Sequence, residues 1–385
     1  MTFTRKTLMN PNSQHNSTTA VGTATTAIDD ATLSIIERDE ALSLNVNDRM
    51  RWFYLRQAKH AELLRVAHHM DELLDPDNDT KIIAVIGPTG IGKTTLATGI
   101  LTKIVDRFKG HQKPHEVPVV YVSAPANGEQ SMSWKTLYRR ILVAAGESHM
   151  DLQRRVEVSD GEMRAVRSDR VSLAHLREML EAVIRQRNIR VIVIDEVMHL
   201  LRFQENLAIM DTLKSLADIH HTKLVLIGTY QIAPLMIEYG QLARRSAILH
   251  YRRYAIPQKS NPAKLTESQS NFKEAVLKLQ LQWPCVEVPQ LESAWEALMN
   301  ASLGSVGLLK SQLLQLASLQ MKRGGKLVVS DLACALKPPK QLRQIETEIL
   351  LGEQDIAGAC YGDAASESEV ALKELFAKLK GPSRG

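Results

Sequence analysis

Hydrophobic positions fall at two spacings along this chain. Continuous apolar runs occur in "KIIAVIG" (81–87), "VPVVYVSAP" (117–125), "IRVIVIDE" (189–196) and "KLVLIGT" (223–229), and they read as strands, a series that "AILHYRRYAI" (247–256) closes. Between them the apolar residues recur at helical spacing, in "KTTLATGILTKIVDRF" (93–108), "SWKTLYRRILVAAG" (133–146), "LAHLREMLEAVIRQRN" (173–188) and "NLAIMDTLKSLADIHH" (206–221). "QIAPLMIEYGQLARRS" (231–246) predicts a further helix with a possible turn inside it, and an Arg-rich polar insert covers about 147–170. A strand apolar on both faces must be covered on both, so the alternation predicts an α/β fold: a parallel sheet with helices on each side.

The ends differ from this middle. Residues 1–30 are rich in Thr, Ser, Asn and Ala and read as a flexible arm. A helical extension follows over 31–79, in which "DRMRWFYLRQAKHAELLRVAHHMDELL" (48–74) predicts one or two helices, stopped by "DPDNDT" (75–80). Within it "RWFY" (51–54) suits core packing better than base stacking, because it sits at helical spacing. The sheet and its helices then occupy 80–260. Beyond "PQKSNP" (257–262) helical periodicity alone continues to 336, broken at "WPCVEVP" and "RGGK", which predicts a small helical lid over 261–336. Residues 337–385 predict one short helical stretch and a mobile tail.

Composition narrows the class. The chain has 385 residues, 44% hydrophobic and 24% charged, as in globular proteins, and a net charge of +5 that permits a nucleic-acid partner without demanding one. Its 3 cysteines are far apart with no metal-ligand spacing, which predicts reduced thiols and a cytoplasmic protein. The N-terminus lacks the apolar core of a signal peptide, and no run of 18 apolar residues predicts a membrane span.

The candidate chemistry sits at the strand ends. Gly87-Pro88-Thr89-Gly90-Ile91-Gly92-Lys93-Thr94 matches GxxxxGK[ST] in full, between a strand and a helix, and with Thr95 it forms the candidate nucleotide cradle. Glycines let backbone N–H groups approach phosphate oxygens, Lys93 brings a point charge to the β/γ-phosphates, and Thr94 offers a hydroxyl to Mg²⁺. About a hundred residues later "VIVIDE" runs into Asp195, a candidate Mg²⁺ ligand, and Glu196, a candidate general base. Thr229 ends a further strand and is placed to orient water. "QLARRSAILHYRRYAIPQK" carries five cations and no acid; Arg244 or Arg245 suits an arginine finger reaching the nucleotide of a neighbouring subunit, and the choice between them stays open.

Phosphate loop, acidic strand end, polar strand end, arginine pair and helical lid, in this order over about 50–335, resemble an AAA+ P-loop ATPase. Within that class "SAPANGEQSMSWKTLYRRILVAAG", "VIVIDEVMHLL", "LKSLADIHHTKLVLIGTYQI" and "QLARRSAILHYRRY" are similar to the TnsC/TniB family of transposition regulators. The resemblance implies ATP and Mg²⁺ as cofactors and a homo-oligomeric ring or filament on double-stranded DNA of any sequence. It also implies two protein partners, a transposase and a TniQ-like target-selection protein. Lys135, Arg139 and Arg140 lie where family members approach the DNA backbone, and Lys103 is a further candidate. The chain departs from AAA+ proteins in its lid, where "SLGSVGLLKSQLLQLA" (302–317) has no arginine and Lys310 is its only charge; slow or partner-triggered hydrolysis is the expectation. Two other functions stay open: an initiator or loader ATPase, and a nucleotide-gated scaffold that binds protein without DNA.

Overall fold

The computed structural model describes residues 28–110, 112–126, 134–147, 155–159, 162–166, 172–200, 206–238, 245–256 and 265–361. Four helices come first: α1 (Asp30–Ile35), α2 (Arg38–Ala41), α3 (Val46–Leu55) and α4 (Ala61–Leu73). The stretch 48–74 thus holds two helices, α3 and α4, in line with the one or two expected there, and α1 and α2 precede it. Asn45 caps α3 by accepting from the Asp48 N–H (2.9 Å). Arg56 is extended, which ends that helix without Gly or Pro, and the His60 ring opens α4.

The sheet and its helices follow: β1 (Ile82–Ile86), α5 (Lys93–Phe108), β2 (Val119–Ser123), α6 (Trp134–Ala144), a hairpin β3 (Arg155–Ser159) and β4 (Glu162–Val166), α7 (Leu173–Gln186), β5 (Val191–Asp195), α8 (Asn206–Ala217), β6 (Lys223–Gly228), α9 (Ala233–Glu238) and β7 (Ser246–His250). Five strands form one parallel sheet in the order β2-β5-β6-β1-β7, as the apolar runs predict. Alternation along β1 shows why both faces are covered. Ile82, Ala84 and Ile86 enter the core beneath α6–α9, whereas Ile83 and Val85 meet α4 and α5 on the other side. The antiparallel hairpin β3–β4 lies inside the Arg-rich insert, where no strand was expected.

The last helices are α10 (Glu267–Leu281), α11 (Trp295–Ala301), α12 (Val306–Lys322), α13 (Val329–Ala335) and α14 (Pro339–Tyr361). The lid shares its core with the N-terminal helices α1–α3. Trp52 is buried and donates its indole N–H to the Ile36 carbonyl (2.9 Å), and Phe53 meets Trp283 edge-on at 5.5 Å. The core-packing expectation for these two aromatics agrees with this; Tyr54 is exposed.

Of the span 337–385, expected as one short helical stretch and a mobile tail, 339–361 is instead α14, a helix of 23 residues that returns to the α/β core, and 362–385 lie outside the described residues. Arg253 forms a two-pronged ion pair with Glu353 (2.8 and 3.0 Å), and Ile356 is buried in the core beside α9. Gly352 lies flat on Tyr230, where an added Cβ would come within 2.1 Å of the ring. Gly352→Val is expected to destabilise the fold by about 1–3 kcal/mol, as overpacked cores do. A thermal melt checks this; an unchanged midpoint would mean that α14 does not rest on Tyr230.

Candidate nucleotide site

The loop between β1 and α5 is shaped by Gly90 (φ +77°) and Gly92 (φ +109°), backbone conformations that side-chain-bearing residues resist. Gly92 is the cap of α5, so the helix's first N–H groups face the loop. Lys93 donates to the carbonyls of Gly87 (2.9 Å) and Pro88 (2.8 Å). Burial lowers its ammonium pKa from the ordinary value to about 8, and the charge of Asp195 opposes that shift.

Asp195 ends β5, two strands from β1, and is buried. Thr94 Oγ1 donates to its Oδ2 (3.3 Å), so the two expected metal ligands meet. Tyr121 OH donates to the same oxygen (2.8 Å), while Oδ1 accepts from the Glu196 N–H (2.8 Å). Burial, then the hydrogen bond and charge of Asp195, push the Tyr121 phenol well above its usual range. Glu196 is exposed and left-handed (φ 55°, ψ 36°), and Ser123 Oγ donates to its Oε2 (3.0 Å). Tyr121 and Ser123 are missing from the expected set. Their signal is the period-two alternation of β2, which carries both to one face beside the acidic strand end.

Asp195 and Glu196 line one cavity of about 650 Å³, together with Thr89–Thr95 and Thr229. Gly87 and Pro88 lie buried beneath them. Segment 54–58 and the lid residues Val306, Gly307 and Lys310 close the opposite wall. His60 joins the walls, with Nδ1 3.0 Å from Tyr254 OH and Nε2 3.2 Å from Tyr251 OH; burial and then Lys278 lower it to about 4. The lid touches the loop directly. Ser305 Oγ donates to the Gly90 carbonyl (3.2 Å), and a Cβ at Gly307 would meet that oxygen at 2.0 Å.

Lys310, the one charge of segment 302–317, donates to the Phe53 carbonyl (2.7 Å) and sits 3.5 Å above the Phe53 ring. Burial lowers it from 10.5 to about 7. As pH falls from 10.5 the unfolded chain takes this proton first, so Lys310 weakens the fold progressively down to about pH 7 and by a constant amount below. Lys310→Met is therefore expected to gain stability over the parent as pH drops from about 10 to about 7. Melting midpoints of both proteins across that range decide it; parallel curves would contradict it.

The remaining candidates are dispersed. Arg245 is exposed just before β7, whose Ser246 pairs with Ile82, with Asp79 and Asp218 each 3.9 Å away. That is the end of the strands away from the loop, a strand's length or about 13 Å along β1. Arg244 lies outside the described residues. Lys103 pairs with Asp71 (2.6 Å) on the α4–α5 face, so it does not share a surface with the α6 candidates on the other face. Lys135 and Arg139 are exposed on α6, and Arg140 donates to the Ser123 carbonyl (2.7 Å).

A glycine loop capping a helix, a hydroxyl and an aspartate within reach of each other, and a glutamate at the next position together fit a nucleotide and its divalent ion. Among the described residues no three His, Cys, Asp or Glu side chains gather as a metal cluster. An ion here would therefore draw on phosphate oxygens and water besides Thr94 and Asp195.

Residues 77–236 match the family model of the AAA domain. The AAA domain holds the loop, Asp195, Glu196 and Thr229, and the fold is that of an AAA+ P-loop NTPase with a helical C-terminal region. No curated protein matches the sequence. Among solved structures, the Aeropyrum pernix ORC2 protein in ADPNP–ADP complexes is 14% identical with a TM-score of 0.48, over 71% of this chain and 66% of that one. The chain thus spans just under two thirds of that protein. The ORC1 protein of the same organism in complex with DNA is 16% identical (TM-score 0.48; 74% of this chain, 68% of that). Domain III of the Thermotoga maritima replication initiation protein DnaA is 13% identical (TM-score 0.44; 73% and 95%). Outside the AAA domain, Cys285 and Cys334 are free thiols, and no described helix is long and apolar enough to cross a membrane.

Proposed function

We propose that this chain is an ATP-dependent regulator of DNA transposition of the TnsC/TniB type. In this reading ATP acts as a clamp and timer. The observation that carries it is the separation of the two halves of the nucleotide chemistry. The loop, Asp195 and Glu196 lie at the C-terminal ends of the strands, and Arg245 lies at the N-terminal end of β7. One copy therefore cannot complete its own site, whereas a neighbouring copy's arginine end can. Repeating that contact yields a ring or a helical filament. Lys135 and Arg139 on α6 would then face the phosphates of duplex DNA and give affinity without sequence choice.

ATP with Mg²⁺ supplies the reactive phosphate when bound. The loop N–H groups and Lys93 hold the phosphates, and Thr94 and Asp195 hold the ion. Tyr121 keeps Asp195 oriented. Glu196, steadied by Ser123, takes a proton from water, and Thr229 orients that water. Hydrolysis would release the interface and let subunits leave. The assembled form would connect a TniQ-like target-selection protein to the transposase.

Mixing two inactive variants tests the shared site. Arg244→Ala/Arg245→Ala keeps its loop, and Lys93→Ala keeps its arginines. Partial return of ATPase activity in the mixture is expected, because a mixed interface pairs one intact half from each. No return, with mixed assembly verified, would contradict the shared site.

A further inference from the structure

We infer that a second cavity, at the end of the strands away from the nucleotide site, binds an organic anion with an apolar body, a carboxylate on an aromatic or branched aliphatic group. The cavity holds about 380 Å³, within the range of small-ligand sites. It opens between the end of α5, the loop after α4 and the first residues of β1, β5 and β6. Leu74, Ile104, Phe108 and Val191 give it an apolar lining.

Its charge is one-sided. Lys81, Arg107, Arg190 and Lys223 line it together with His221, and no Asp or Glu is among its described lining residues. Lys223 is already committed, donating to the carbonyls of Leu73, Asp75 and Asn78 at 2.8, 2.7 and 2.7 Å. Asp75 and Asp79 act on Lys223 from outside the lining, and Asp79 is 3.9 Å from Arg245. Lys81, Arg107 and Arg190 make no side-chain hydrogen bond or ion pair with any described residue. Arg190 Nε is moreover shielded from solvent and has no hydrogen-bond partner among them. A shielded donor without an acceptor is rare and costly, and a bound carboxylate would satisfy it.

The apolar lining decides the kind of anion. A sugar–phosphate backbone has nothing to place against Phe108 and Ile104, whereas an aromatic or aliphatic acid fills that space while its carboxylate meets Lys81 and Arg190. Such a group can be a free small acid or the end of a peptide. Both present the same chemistry.

The probe is 1-anilinonaphthalene-8-sulfonate, an aromatic anion whose fluorescence rises in apolar surroundings, titrated into the full chain with excess Mg-ADP. A saturable site is expected, weakened about tenfold or more in Lys81→Gln/Arg190→Gln, the worth of one charge-assisted hydrogen bond. N-acetylphenylalanine should displace the probe and its amide should not. A short peptide ending in phenylalanine with a free carboxylate separates the sources: tighter displacement than the single residue identifies a chain end, weaker displacement a free acid. Equal probe affinity in parent and variant would overturn the inference. So would equal displacement by the amide, or displacement by duplex DNA and not by the acid. Should the double variant fail to fold, the comparison of acid with amide on the parent protein decides alone.

Discussion

Lys93→Ala is expected to lower ATP affinity by about a hundredfold or more while leaving the fold intact. The ammonium is held at the loop by two carbonyls of that loop, Gly87 and Pro88, so it is pre-positioned where phosphates would lie. Its burial has lowered its pKa to about 8, which marks a charge kept out of bulk water beside Asp195. An anion arriving there gains charge-assisted hydrogen bonds of about 1.5–3 kcal/mol each, and alanine removes them. Alanine also suits the first turn of α5, so the melting midpoint should stay close to the parent's. Titration with a fluorescent ATP analogue reads the affinity. Binding unchanged from the parent would remove the loop from the nucleotide site.

Glu196→Gln is expected to bind ATP as the parent does and to hydrolyse it about 10²–10⁴-fold more slowly, the usual contribution of a positioned general base. The amide keeps the size of the side chain and can still accept from Ser123, so the geometry at the end of β5 should persist. Asp195, which faces Thr94, is untouched, and the metal site with it. Single-turnover hydrolysis and equilibrium binding, measured on the same protein, separate the two effects. Hydrolysis at the parental rate would assign the base elsewhere.

Much of the core was legible because each strand is a short run apolar on both faces, a pattern that leaves a covered parallel sheet as its solution. The loop was legible for a related reason: its glycines, lysine and threonine are consecutive. The residues that steady the acidic pair were not. Tyr121 and Ser123 matter because β2 pairs with β5, and that adjacency is a property of the sheet order. The length of α14 and its return to the core were missed because its buried stripe is thin. Ile349, Gly352 and Ile356 turn inward, while Leu350 and Leu351 stay exposed and blur the periodicity. The β3–β4 hairpin escaped because its strands have five residues each and carry charges along them. The basic candidates for DNA came from the family resemblance and from residue type, neither of which shows that Lys103 lies on one face of the sheet and Lys135 and Arg139 on the other.

The proposal that bound ATP joins one copy to the next on DNA is tested most directly by co-sedimentation of the protein with duplex DNA of unrelated sequences, with electron microscopy of the pellets, in a non-hydrolysable ATP analogue and in ADP at rising salt. Rings or filaments are expected on every duplex with the analogue, none with ADP, and a steep loss as salt rises. Equal assembly on DNA with ADP and with the analogue would contradict it.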